Sequence, residues 1–264
     1  MSANSLKVFH PIKVDGLARL GNKYDGGYIV HYPSLKDADY LINYGIGHNI
    51  EFEKAFFATT GLPTLAFDPT LSDFSPAFKR LAAGRLFGSL GYTRNYVKWA
   101  LSKSKLPDYK IEFVEEGISD KDDGEYKSLS YHYKKYDLAN KKIVLKIDVD
   151  GAEYPVLNDP AVYSLFSNAV QLVLEFHDLS KNMADLINIF NNLSKTHSLI
   201  HIHANNFTGK FDYEGKTVPE TIEATFLLNE YVPKKEYTTT AYPVPGLDAP
   251  CNKREADMVL DFFL

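Results

Sequence analysis

From Tyr40 onward, short runs of Val, Ile and Leu alternate with longer amphipathic stretches, and this alternation is the tightest constraint on the fold. Continuous apolar runs of strand length belong in a sheet buried on both faces, whose parallel strands need helical crossovers. The runs are YLINYG (Tyr40–Gly45), LPTLAFD (Leu62–Asp68), IEFVEEGIS (Ile111–Ser119), KIVLKIDV (Lys142–Val149), VQLVLEFH (Val170–His177) and SLIHIHA (Ser198–Ala204), then IEATFLLN and ADMVLDFF. IEFEKAFFATTG places Ile50, Phe52, Phe56 and Phe57 for a helix stopped by Gly61. MADLINIFNNLSK sets Met183, Leu186, Ile187, Ile189, Phe190 and Leu193 at helical spacing. The expected architecture is doubly wound α/β, a mainly parallel sheet of about seven strands with helices on both faces. The last two runs have no clear helix between them and are expected as an antiparallel edge pair.

A chain of 264 residues can bury one large core, so residues 1–264 are expected to form a single domain. Two regions fall outside the alternation. Residues 71–110 look helical and carry Lys79, Arg80, Arg85, Arg94, Lys98, Lys103, Lys105 and Lys110 against Asp73 and Asp108. This is a solvated helical insertion or a basic lid for a phosphorylated substrate. Residues Asn205–Pro219 read as a polar loop. A net charge of -5 argues against nonspecific nucleic-acid binding, which needs a basic surface. The abundant aromatics, 18 Tyr and 17 Phe, either line a pocket for a flat or sugar-like ligand or thicken the core. One cysteine, Cys251, excludes an internal disulfide and a zinc cage built from cysteines. MSANSLKVFHPIKVDG lacks the apolar centre of a signal peptide and no run approaches membrane-spanning length, so a cytoplasmic protein is the simplest expectation.

Ligands of doubly wound sheets sit beyond the carboxyl ends of the strands, so the residues there are a functional test. The ends carry Gly45 and Gly47; Asp68; Glu116, Gly117 and Ser119; Asp148 and Asp150; Glu175 and His177; His201 and His203. Glycines at 45 and 47 allow a tight turn and close backbone approach to a ligand, and Asp68 is placed to accept ribose hydroxyls. With Ile50 where a third glycine would stand, a dinucleotide pyrophosphate fits poorly and S-adenosylmethionine fits better.

RLGNKYDGGYIV (Arg19–Val30), NYGIGHNIEFE (Asn43–Glu53), FDPT (Phe67–Thr70), LKIDVDGAEYPVL, LVLEFHDL and HIHANN together resemble the FkbM-type branch of S-adenosylmethionine-dependent methyltransferases. KIDVDGAE is the most specific of these matches. The resemblance implies a Rossmann-like methyltransferase fold, with Gly45, Gly47 and Asp68 on the cofactor and Glu116, Gly117 and Ser119 near its adenine. It also implies O-methylation of sugars or glycan precursors, such as a nucleotide-linked sugar for surface polysaccharide. DGGY (Asp25–Tyr28) in the N-terminal segment 1–39 would cap the cofactor pocket, which makes Arg19, Asp25 and Tyr28 pocket residues.

O-methyl transfer needs an acceptor hydroxyl made nucleophilic and held in line with the sulfonium methyl. A general base or a divalent cation would serve. Asp148, Glu175 and His203 form a mixed oxygen and nitrogen set suited to Mg, Mn or Fe, with Asp150, His177 and His201 as second choices. Glu153, past the glycine, takes a secondary place because an acid in a helix's first turn also complements the dipole. The catalytic residues expected are Asp148, Glu175, His203, His177 and Tyr28. Asn205 and Asn206 reach substrate hydroxyls or shape their loop. Cys251 is a bystander to methyl transfer, which needs no covalent intermediate. A nicotinamide-dependent sugar oxidoreductase, a metal-dependent hydrolase and a non-catalytic binding module are the alternatives. The expected partner is a small sugar or nucleotide sugar, with no nucleic acid and no membrane span; a homodimer is left open.

Overall fold

The computed structural model describes residues 5–71 and 99–264, together with residues 93, 96 and 97. In chain order its strands are β1 (Leu17–Gly21), β2 (Gly27–His31), β3 (Tyr40–Tyr44), β4 (Thr64–Phe67), β5 (Ile111–Val114), β6 (Gly117–Ile118) and β7 (Tyr126–Lys127). They continue as β8 (Ile143–Ile147), β9 (Ala169–Phe176), β10 (His197–Ala204), β11 (Lys210–Tyr213), β12 (Lys216–Pro219) and β13 (Ile222–Leu228). Among the described residues, the α-helices bounded at both ends are α1 (Glu51–Thr60), α2 (Leu129–Lys135), α3 (Glu153–Leu157), α4 (Val162–Leu165) and α5 (Leu179–Leu193).

Seven strands form one sheet in the order β10-β13-β9-β8-β3-β4-β5. The block from β9 to β5 is parallel throughout. The chain runs outward from β3 through β4 to β5, then returns to the other side of β3 for β8 and β9. This is the Rossmann-like α/β architecture expected, and its strand order reverses between β3 and β8.

The antiparallel edge pair is present with different members from those expected. β13, the IEATFLLN run, inserts between β9 and β10 and is antiparallel to both. ADMVLDFF forms no strand beyond a single bridge, Tyr242 to Leu260; its Phe262 and Phe263 instead bury against the core. Phe262 meets Phe9 edge-on at 5.6 Å. The expected run IEFVEEGIS is likewise cut in two, because β5 stops at Val114 before the charged pair Glu115–Glu116.

Period-two alternation sorts the sheet's side chains onto two faces. Leu41, Val144 and Val173 pack with Phe52 and Phe56 of α1 and with Leu20, Tyr28 and Val30 of the β1–β2 hairpin. Their neighbours Ile42, Leu145, Leu172 and Leu174 pack with Met183, Leu186, Ile189 and Phe190 of α5. Truncating a fully buried residue such as Phe190 to Ala would cost about 3–5 kcal/mol. Gly61 ends α1 in the left-handed conformation and donates its N–H to Phe57. The hairpin, drawn from the N-terminal segment, therefore lies over the face of the sheet that carries Asp148 and Glu175.

Of the basic insertion, residues 72–92 lie outside the described residues, as do Arg94 and Lys98, so Lys79, Arg80, Arg85 and Asp73 are not placed. Its described part is helical at residues 99–103, where Trp99 buries with Leu71 and Leu106. Among the described residues no helix is long and apolar enough to cross a membrane.

Candidate functional site

The strand-order reversal puts the carboxyl ends of β3 and β8 side by side, and a cavity of about 460 Å³ opens above them. Gly45 follows β3 at φ +80°, and a Cβ there would fall on the Asp148 carbonyl oxygen. Only glycine combines that dihedral with so close an approach. Gly47 also has positive φ, but the space beside it is open.

At one end of the cavity the Gly47 N–H donates to Asp68 Oδ2 at 3.1 Å. Thr70 donates to Asp68 Oδ1 through its N–H at 2.8 Å and its hydroxyl at 2.7 Å. Asp68 thus fastens the glycine loop to the turn after β4, and Oδ2 retains acceptor capacity toward the cavity. Tyr44 stacks on Phe67 at 4.7 Å beneath this end, and Gly117, Ile118 and Tyr126 wall it. These residues set aromatic and apolar side chains beside a carboxylate.

The opposite end is built from acids. Asp148, Glu175 and His177 each offer a ligand atom within 4.8 Å of the others. His177 Nε2 lies 3.9 Å from Asp148 Oδ1, 3.6 Å from Glu175 Oε1 and 3.6 Å from Asp150 Oδ1. Its Nδ1 is held at 3.1 Å by buried Glu153, which also accepts the His177 and Gly151 backbone N–H groups at 2.7 Å each. Burial disfavours the imidazolium, but the Glu153 hydrogen bond and the charges of Glu175 and Asp148 outweigh it and raise the pKa to about 9.

The two other members of the cluster take opposite protonation states. Burial raises Glu175 to about 8, helped by the negative charges of Asp148 and Glu223. Burial also opposes ionisation of Asp148, yet Lys146 and the Tyr28 hydroxyl overcome it and hold its pKa below the ordinary value. Lys146 Nζ donates to Asp148 Oδ2 at 3.1 Å and lies 4.5 Å from the centre of the Tyr28 ring. Tyr28 Oη stands 2.7 Å from Asp148 Oδ2 and 3.0 Å from Glu175 Oε2. A phenol has one proton, so Tyr28 donates to the ionised Asp148 and accepts from the protonated Glu175. Asn205 donates to the other oxygen of Glu175 at 2.9 Å.

The structure brings Asp25, Gly45, Gly47, Asp68, Gly117, Asp148, Asp150, Glu175 and His177 to the cavity, with Tyr28 behind its acidic end. Asp150 lies past the end of β8 at Ile147. It turns at φ 50° with its side chain 98% exposed, and its Oδ1 still lies 3.6 Å from His177 Nε2. Burial raises the pKa of Asp25 at the rim, and the charges of Glu223 and Asp148 add to this.

Other expected residues stand elsewhere. Glu116 accepts from Lys135 at 2.8 Å and lies 3.2 Å from His132, joining its loop to α2. Ser119 bonds to Asp120. Arg19 donates to the carbonyls of Leu247 and Gly27. His201 pairs with Asp248 at 3.1 Å. His203 is separated from Asp148 and Glu175 because β13 lies between β9 and β10, and Glu223 occupies the position between Glu175 and His203. The metal set expected from three neighbouring strand ends is therefore not assembled, and His177 stands where His203 was expected.

Lys146, Glu153 and Glu223 carry more of the site than their sequence contexts signalled. Lys146 is 3% exposed inside an apolar strand, and a lysine within such a run is the one cue that was available.

No protein-family model and no curated protein matches the sequence. Among solved structures the chain is similar to a putative rRNA methylase from Clostridium thermocellum, with a TM-score of 0.39 at 10% identity over 75% of this chain and 94% of that one. A precorrin-6Y C5,15-methyltransferase from Geobacter metallireducens gives 0.34 at 8% identity over 74% and 84%. The C-terminal domain of the precorrin-6Y C5,15-methyltransferase from Rhodobacter capsulatus gives 0.35 at 11% identity over 78% and 93%. At identities and scores this low, none of these likenesses bears on reaction or substrate.

Proposed function

We propose that the chain is an S-adenosylmethionine-dependent O-methyltransferase of the FkbM type, acting on a hydroxyl of a nucleotide-linked or glycan-precursor sugar destined for surface polysaccharide. One observation carries this reading. A single cavity at the strand-order reversal has a nucleoside-type slot with Gly45, Gly47 and Asp68 at one end and the Asp148, Glu175 and His177 set at the other.

In this reading the open acceptor position of Asp68 takes a ribose hydroxyl, and Gly45 and Gly47 allow the backbone to lie against the cofactor. Two oxygen donors and one nitrogen donor fit a hard or borderline divalent metal, and the His177 ring is already oriented by a carboxylate on its other nitrogen. When bound, such a cation lowers the pKa of an acceptor hydroxyl. S-adenosylmethionine, held by Gly45, Gly47 and Asp68, would supply an electrophilic methyl group to the acceptor hydroxyl. Asp148, kept ionised by Lys146 and Tyr28, is the chain's own acceptor for the hydroxyl proton. Glu175 and Asn205 orient the acceptor.

The test is a calorimetric titration with S-adenosylmethionine, with and without chelator, followed by a screen of nucleotide sugars for a mass gain of one methyl. Micromolar binding in both conditions is expected. No binding in either would overturn the reading and favour a metal-dependent hydrolase.

A further inference from the structure

His203 stands in a second buried cluster that the reaction above does not use. Its Nδ1 lies 3.1 Å from Glu223 Oε2, and Cys251 Sγ lies 3.4 Å from Glu223 Oε1. One ligand atom from each of His203, Glu223 and Cys251 falls within 4.8 Å of the others, and all three residues are buried. On the far side of the ring, Nε2 meets both oxygens of Asp257 at 3.1 Å.

We propose that His203 Nδ1, Glu223 and Cys251 supply three ligands of a zinc site that fastens the C-terminal segment to the sheet. The donor types are those of zinc, and a carboxylate on the opposite ring nitrogen is the usual companion of a metal-bound histidine. Charge balance supports the same reading. Without metal, an imidazolium, a neutral thiol and two carboxylates sum to one negative charge. A dication with a thiolate, a neutral imidazole and the same two carboxylates also sums to one negative charge. Zinc therefore replaces two protons, one from the thiol and one from Nδ1, without adding net charge to a buried place. A bound cation would convert the buried Cys251 thiol to a thiolate.

The fold supplies the need. After Tyr231 the described chain has no helix or named strand, only isolated bridges at Tyr237 and between Tyr242 and Leu260. The loop that carries Cys251 is pre-shaped by Asn206, which accepts from the Asn252 N–H at 2.7 Å and donates to the carbonyls of Asn252 and Ala256. Irregular segments of this kind gain most from a metal cross-link. The inference does not depend on the methyltransferase reading.

Cys251 is the sole cysteine, which makes the test clean. Full-length protein produced in cobalt-supplemented medium should show a near-ultraviolet sulfur-to-cobalt charge-transfer band. His177→Ala should keep this band, because the cavity set contains no sulfur, and Cys251→Ser should lose it. In zinc medium, elemental analysis should find one equivalent retained through dialysis in His177→Ala, where the cavity set is broken, and none when Cys251→Ser is added to it. Folded wild-type protein with no thiolate band and no retained zinc would overturn the proposal and leave His203 as an imidazolium between two carboxylates.

Discussion

Replacing Glu175 by Gln should stabilise the metal-free protein at neutral pH. Glu175 is 5% exposed and its folded-state pKa is about 8, raised chiefly by burial and then by Asp148 and Glu223. Between about pH 4.5 and about pH 8 the folded chain holds a proton here that the unfolded chain releases. This group's contribution is fully present below about 4.5 and is lost as pH rises through about 8. At pH 7 the loss is about 3 kcal/mol, taking about 1.4 kcal/mol for each pH unit above the unfolded value. Gln copies the protonated acid: its carbonyl accepts from Asn205 and its amide donates to Tyr28. Denaturant unfolding in chelator should therefore show Glu175→Gln more stable than wild type by about 3 kcal/mol at pH 7, with the difference gone near pH 4.5. A variant equal to or weaker than wild type at pH 7 would refute the assignment of a buried, protonated Glu175.

Gly45→Ala should destabilise the fold by about 2–5 kcal/mol, from the left-handed dihedral and the contact with the Asp148 carbonyl; unchanged denaturation would contradict that geometry. Glu153→Gln should lower the His177 pKa from about 9, since the Glu153 hydrogen bond is the foremost cause opposing burial, and an NMR titration of the imidazole reads it directly. An unmoved titration would remove Glu153 as the orienting carboxylate. Asp68→Ala should weaken S-adenosylmethionine by about tenfold to a hundredfold, the worth of a hydrogen bond to a charged group. Calorimetry showing unaltered affinity would take Asp68 out of the ribose site.

The sheet was legible because its strands are long apolar runs, and the C-cap glycine of α1 was legible because Gly61 follows the last periodic residue. Strand order was not, since periodicity says which face a residue takes but not which strand lies beside it. That gap displaced His203: β10 looked adjacent to β9, while β13, later in the sequence, lies between them. It also hid Glu223, which sits in IEATFLLN as any alternating polar residue would. The backbone at Asp150 was not legible for a local reason, because period two holds only within a strand and β8 stops at Ile147, after which Asp150 turns at φ 50°. ADMVLDFF has a strand's composition, and only packing partners such as Phe9 distinguish a buried irregular segment from an edge strand.

The place of β13 bears on how the protein can be made. The edges of β9 and β10 that will face each other across it emerge from the ribosome well before residues 222–228 do. Until then both present unpaired backbone beside apolar side chains, an invitation to pair with another copy. Every contact that closes this half of the sheet waits on a strand from the last fifth of the chain, so a growing chain cannot finish its core progressively. Premature termination before Ile222 would release not a smaller domain but a chain with two open edges.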